Sequence, residues 1–357
     1  MYKAREIKVV HLEITTKCNA SCPMCLRNVC GGQVNPQLPL AELSLFDIEK
    51  IFPVNFVQQL ERILYCGNYG DPVAAKDTLD SLKYFKTANP RLQISLFSNA
   101  SARPVAWWQE VATLTTDVHF AIDGLADTNA LYRRGTQFDV IMRNAQAFID
   151  AGGRAVWDYI VFRHNEHQIE EAQSLAQKMG FYKFNLKKTG RFFSNTKSEV
   201  KTQQAVLDSK GQLEYYLEMP VNTKYHNGAL AKEEALVQKY GHLEKYLDQT
   251  HVECKVAAEK SVYVSAEGFV FPCCWTANQL YPWYLEPRSS QMWKLIDALP
   301  NNEQSISAKN YSLDSIVEGD FFESIEKSWG LASTKLGKLK PCAKTCGKEF
   351  DPFRSQW

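Results

Sequence analysis

The chain has no apolar stretch long enough to span a bilayer and no apolar core near its start that would make a signal peptide. Met1-Tyr2-Lys3-Ala4-Arg5-Glu6 leads directly into the first strand-like run. Both absences point to the cytoplasm, where thiols stay reduced and disulfides are rare. A charge of one sign is also missing. Lys+Arg 41 against Asp+Glu 40 gives a net charge of +1 over 357 residues. That balance leaves no electrostatic footprint for nucleic acid or an anionic membrane. Low-complexity tracts and internal repeats are absent too. The length suits one large domain and a smaller one.

Cysteine is what the chain does have, with 10 of them. In a reduced compartment they are metal ligands or buried thiols. Cys18, Cys22 and Cys25 are spaced C-x3-C-x2-C, directly after a strand-like run at 9–15. A four-iron cluster usually takes four thiolates, so three from one tight loop leave one iron open to an outside ligand. Zinc sites favour paired C-x2-C or Cys/His sets, and no His follows Cys25 closely enough to complete one.

From residue 9 to about 190, short apolar runs alternate with helical periodicity. Strands are expected at 9–15, 62–66, 92–97, 118–122, 156–162 and 183–187. Helices are expected at 45–51, 79–87, 107–113, 138–151 and 170–179, the fourth stopped by Gly152-Gly153. Six such units predict an α/β fold with a parallel sheet, a partial (β/α)6 TIM-like barrel whose functional residues sit at the strands' carboxyl ends. Residues 191–250 read as a connector, loop-like at 194–199 and helical with a solvated charged face over 230–247. From Cys254 a smaller unit begins. A hairpin is expected at 261–265 and 269–271 around Ala266-Glu267-Gly268, and an amphipathic helix at 313–329. The predicted organisation is 1–190 core, 191–250 connector and 251–357 auxiliary domain.

The thiol triplet followed by six strand–helix units resembles the radical S-adenosylmethionine (SAM) superfamily. The match covers most of residues 9–190. Gly70-Asp71-Pro72, after the second strand, looks like the family's Gly-Glu-Pro turn, which would hold the SAM amino group. Ser98 and Asn99 match the ribose-binding polar pair. Asp123-Gly124 resembles the fourth strand's end, with Ala121 in place of the usual Ser. Arg133-Arg134-Gly135 is similar to an Arg-Gly segment before the fourth helix, from which Arg134 would face the SAM carboxylate or a substrate anion. Met24 stands where the family often has an aromatic beside the adenine; a thioether makes a comparable contact to a ring. The resemblance implies that SAM chelates the open iron, that its S–C5′ bond is cleaved by reduction, and that a 5′-deoxyadenosyl radical abstracts a substrate hydrogen.

Cys254, Gly268 and Cys273 form C-x13-G-x4-C, which resembles the opening of SPASM and twitch extensions, small α+β units that carry auxiliary clusters. Cys342 and Cys346 can complete four thiolates, with Cys274 as a substitute ligand and zinc as the competing metal. Two [4Fe–4S] clusters and SAM are therefore the expected cofactors. Cys30 and Cys66 read as structural thiols. The implied partners are a reductant such as flavodoxin or ferredoxin and a peptide or protein substrate whose side chain is cross-linked, epimerised, oxidised or given a thioether. Because only about eight residues precede the first strand, the expectation is that a separate protein, the barrel rim or the connector binds any leader. Radical dehydrogenation of a small alcohol or sugar is the alternative, and a non-catalytic iron–sulfur electron carrier is the third reading. No catalytic acid or base stands out; Tyr69, His164 and Lys187 are chemically able.

Overall fold

Five crossover connections bring six parallel strands side by side in a computed structural model that describes residues 1–194 and 198–348. The strands are β1 (Val9–Leu12), β2 (Arg62–Tyr65), β3 (Gln93–Ser98), β4 (Asp117–Ala121), β5 (Ala155–Ile160) and β6 (Lys183–Lys187), each hydrogen-bonded to its sequence neighbour. Helices return the chain between them, among them Thr78–Ala88, Val105–Leu114, Phe138–Asp150 and Ile169–Met179. The strand period of two decides the layering. Ile94, Leu96, Val118 and Phe120 are fully buried. Phe120 meets Phe148 of the Phe138–Asp150 helix at 5.6 Å and Phe181 at 5.8 Å. That helix forms because Ile141, Ala145 and Phe148 recur at helical spacing and bury together.

The connector region holds more strand than its composition suggests. A short pair, β7 (Phe193–Ser194) with β8 (Glu199–Val200), precedes an antiparallel hairpin of β9 (Gln203–Leu207) and β10 (Leu213–Glu218). Residues 195–197 of the expected loop at 194–199 lie outside the described residues. The single helix expected at 230–247 is two, Gly228–Tyr240 and Leu243–Gln249, parted at Gly241, where φ is +79°. The helix expected at 313–329 likewise splits into Leu313–Val317 and Asp320–Ser328 at Glu318-Gly319.

The late hairpin forms as expected, from β11 (Ser261–Val264) and β12 (Val270–Phe271). Its placement was not expected. β11 runs parallel to β1 in the register Val9 with Ser261 through Leu12 with Val264, so the sheet has eight strands in the order β12-β11-β1-β2-β3-β4-β5-β6. All four β11 residues are buried. The fold is an α/β partial barrel widened at its β1 edge, with small extra sheets beyond it. No helix among the described residues is long and apolar enough to cross a membrane.

Candidate functional site

Beyond Leu12 the chain leaves the ladder and crosses the carboxyl ends of β2, β3 and β4 as the loop that carries Cys18, Cys22 and Cys25. The loop is pinned at several points. Asp71 N–H donates to the Lys17 carbonyl (2.9 Å), Ser21 N–H to the Arg134 carbonyl (2.9 Å), and Cys25 N–H to the Cys22 carbonyl (3.0 Å). Each thiol faces a residue that follows a different strand. The Asn99 amide lies 3.6 Å from Cys18 Sγ, Arg133 Nη1 lies 3.8 Å from Cys22 Sγ, and the Asn68 carbonyl lies 3.9 Å from Cys25 Sγ. Burial pushes Cys22 up to about 11, with Arg133 pulling it back. Burial also raises Cys18, helped by the Asp71 carboxylate. A bound metal cation deprotonates such thiols outright.

The residues expected to hold SAM meet at this rim. Gly70 lets the turn lie on the thiol loop, since a Cβ there would stand 1.7 Å from the Thr15 carbonyl oxygen. Asp71 is buried, and its carboxylate accepts from Ser98 Oγ (2.8 Å), Asn99 N–H (2.8 Å) and Val73 N–H (3.1 Å). It therefore ties the β2 turn to the end of β3. Asp123, fully buried, pairs with Arg133 Nε at 2.6 Å. Burial raises its pKa and Arg133 opposes the rise. Arg134 departs from expectation. It turns to the β9–β10 hairpin, where Nη2 meets Glu214 at 2.7 Å and the guanidinium covers the Tyr215 ring at 5.6 Å. Of the two, Arg133 is the arginine that reaches the thiol loop. Met24 is half-buried against the core, and its carbonyl accepts from Arg191 Nη1 (2.8 Å).

Two groups escaped sequence reasoning. Glu13, 1% exposed, accepts from Tyr69 N–H (2.7 Å) and Gly70 N–H (3.0 Å) and also from the Tyr263 hydroxyl. Its position two residues before Thr15, at the end of an apolar run, was the only signal. On the alternate faces of β4, β5 and β6, Asp158 accepts from Lys187 (2.5 Å), His119 (3.0 Å) and Asn185 (2.9 Å), with Phe97 stacked on His119 at 4.2 Å. Lys187 is thus an ion-paired lysine, not a solvated one. Cys30 sits on the hairpin beside Gln204 (3.4 Å), away from the other thiols of its loop.

The second cysteine set comes together from three segments. Gly268, at φ +89°, closes the β11–β12 turn with its N–H on the Ser265 carbonyl (2.9 Å). Cys273 follows β12, Cys254 caps the helix Lys255–Glu259, and Cys342 and Cys346 lie on and just after the helix Lys340–Thr345. All four line one cavity, walled by Val252, Pro272, Trp275, Ile325, Trp329 and Pro341. Contact with Cys346 and then burial push Cys254 up, and burial raises Cys273 and Cys342. The Trp329 indole N–H is buried there against the Cys342 thiol, which it pulls back down. A pocket of thiols with apolar walls offers the donor set that a soft metal centre takes. Cys274, beside Cys273, is half-buried near Cys66. Among the described residues no three His, Cys, Asp or Glu side chains gather as they would round a single metal ion.

No protein-family profile and no curated protein matches the chain. Solved structures do match it. One is anSMEcpe with bound AdoMet, at 12% identity and TM-score 0.53, covering 94% of this chain and 86% of that one. Streptococcus suis SuiB bound to precursor peptide SuiA aligns at 12% identity and TM-score 0.51, covering 94% and 76%. anSMEcpe with bound AdoMet and Cp18Cys peptide gives 12%, TM-score 0.50, 94% and 89%. Against SuiB bound to S-adenosylmethionine the alignment spans 60% of that chain, at TM-score 0.47. These neighbours are radical SAM enzymes, and what this chain shares with them is the fold.

Proposed function

We propose that this chain is a radical SAM enzyme with one auxiliary iron–sulfur cluster, acting on a peptide or protein side chain. One observation carries the reading. Three thiols of a single loop stand across the carboxyl rim of a partial barrel, each faced by a polar group from a different strand end. Such a loop leaves the fourth position of a four-iron cluster to SAM. The cluster and SAM, when bound, supply hydrogen-atom abstraction from an unactivated carbon. The rest falls to the protein. Cys18, Cys22 and Cys25 hold the first cluster, and Cys254, Cys273, Cys342 and Cys346 hold the second. With the Asp71 carboxylate occupied, the backbone of Gly70–Pro72 receives the SAM amino group. Arg133 supplies the positive charge beside Cys22, and Ser98 and Asn99 shape the floor. Residues 1–190 form the core, 191–250 the connector and 251–357 the auxiliary unit.

A peptide substrate is supported by the neighbours solved with peptides, SuiB with SuiA and anSMEcpe with Cp18Cys peptide. A second reading, dehydrogenation of a small alcohol or sugar, is favoured by the His119, Asp158, Asn185 and Lys187 cluster, a polar lining where barrel interiors are usually branched and apolar.

The test is anaerobic reconstitution with iron and sulfide, then reduction with SAM and candidate substrates. Release of 5′-deoxyadenosine carrying deuterium from a labelled peptide is expected. Deuterium from a labelled alcohol alone would shift the assignment to the second reading. A cluster indifferent to SAM would end both.

A further inference from the structure

The two thiol sites come from segments more than 200 residues apart, yet one residue touches the surroundings of both, through its backbone on one side and its side chain on the other. Asn68 lies in the turn after β2. Its carbonyl oxygen stands 3.9 Å from Cys25 Sγ, in the first site. Its side-chain amide donates to the Cys274 carbonyl at 2.9 Å, and Cys274 is joined by one peptide bond to Cys273, in the second site. Neither end of this link is loose. Asn68 is held by the turn that Glu13 braces through Tyr69 and Gly70, and the half-buried Cys274 opens the helix Cys274–Ala277.

From this geometry we infer that Asn68 is the electronic bridge between the two cluster sites. The inference rests on the proposed function, which puts a cluster at each. Electronic coupling falls off less steeply through covalent bonds and hydrogen bonds than across van der Waals gaps. The path runs from Cys25 Sγ to the Asn68 carbonyl, along the Asn68 side chain, across the 2.9 Å hydrogen bond to the Cys274 carbonyl, and through one peptide unit to Cys273. It contains one hydrogen bond and one non-bonded contact. With both clusters bound, one electron would leave an iron of one and arrive on an iron of the other. No bond breaks and no proton moves. Tyr69 and Tyr263 are buried beside the link, and the hydrogen bond itself is half-buried.

The experiment compares the reconstituted full chain with its Asn68→Leu and Asn68→Asp variants. Leu keeps the bulk and removes the donor; Asp keeps the shape and removes the N–H. Each protein receives substoichiometric dithionite, is freeze-quenched over a time course, and is followed by the electron paramagnetic resonance signals of the two clusters. Both variants are expected to hold two clusters by iron and sulfide count and to redistribute the electron several-fold more slowly, the Leu variant with midpoint potentials close to the parent's. An unchanged rate with both clusters present overturns the bridge and leaves the proposed function standing. Loss of a cluster in both variants overturns it in favour of a scaffold role. A parent protein with fewer than two clusters overturns the proposed function and the bridge with it.

Discussion

Arg133 Nη1 stands 3.8 Å from Cys22 Sγ while the same guanidinium holds Asp123 through Nε at 2.6 Å. Asp123 is fully buried, so this arginine links the thiol loop to the end of β4 at a point without water. Replacing it with Met strands a buried carboxylate. The expected cost is about 3–5 kcal/mol, read by urea unfolding of the metal-free protein. The double variant Arg133→Met, Asp123→Asn should recover part of that loss. A single variant within about 1 kcal/mol of the parent would show that the pair behaves as an exposed one.

Glu13 predicts a pH dependence. Burial raises its carboxyl from 4.5 to about 7 in the folded protein, against the lowering effect of its hydrogen bonds. Below pH 4.5 the folded and unfolded chains both hold the proton. Between 4.5 and 7 only the unfolded chain releases it, so stability falls as pH rises through that window and then levels off. At about 1.4 kcal/mol per pH unit the total is about 3 kcal/mol. Glu13→Gln should flatten this slope and equal or exceed the parent at pH 8. Parallel pH profiles for the two proteins would refute the assignment.

Counting iron separates the two thiol sites. Alanine at Cys18, Cys22 or Cys25 should remove one cluster's iron and sulfide and abolish SAM cleavage. Alanine at Cys254, Cys273, Cys342 or Cys346 should remove the other cluster and leave SAM cleavage partly intact. Cys30→Ala should retain both. If Cys274→Ala loses iron and the alanine variant of one of those four does not, Cys274 is the ligand in its place.

At Gly70 there is no room for a side chain. A Cβ would fall 1.7 Å from the Thr15 carbonyl oxygen and 2.9 Å from the Thr16 Cα. Because those neighbours are backbone, Gly70→Ala must move the turn or the thiol loop. The expected cost is at the top of the about 1–3 kcal/mol usual for overpacking, together with weaker SAM binding by isothermal titration. Binding and stability like the parent's would contradict the close approach.

Trp329 is expected to tune the second site. Hydrogen bonds to the sulfurs of a cluster stabilise its reduced form and raise its potential. Trp329→Phe keeps the wall and removes the N–H, so the midpoint potential of the auxiliary cluster should move to more negative values in a redox titration while its iron content holds. An unmoved potential would leave the indole a packing residue.

Local patterns were legible and distant partners were not. The helix Phe138–Asp150 and the strand Lys183–Lys187 stood out because periodicity is written into neighbouring residues. The β9–β10 hairpin carried its own signal, Leu213, Tyr215 and Leu217 alternating with polar positions after Asp208-Ser209-Lys210-Gly211, but the charged surroundings masked it. Arg133 and Arg134 are adjacent, and only the folded turn decides which enters the site and which joins Glu214. Asp71 and Ser98 were each singled out, while their bond to each other was not, because nothing local records a contact across 27 positions. The parallel docking of β11 on β1 is the same limitation over some 250 residues.

That docking sets a ruler inside the protein. Since β11 lies along β1 in fixed register, the interval between the early and late cysteine groups is counted in rungs of one ladder and owes nothing to a hinge. Slipping β11 by two residues would shift its ladder by about 6–7 Å, enough to pull Cys274 off Asn68 without unfolding either half.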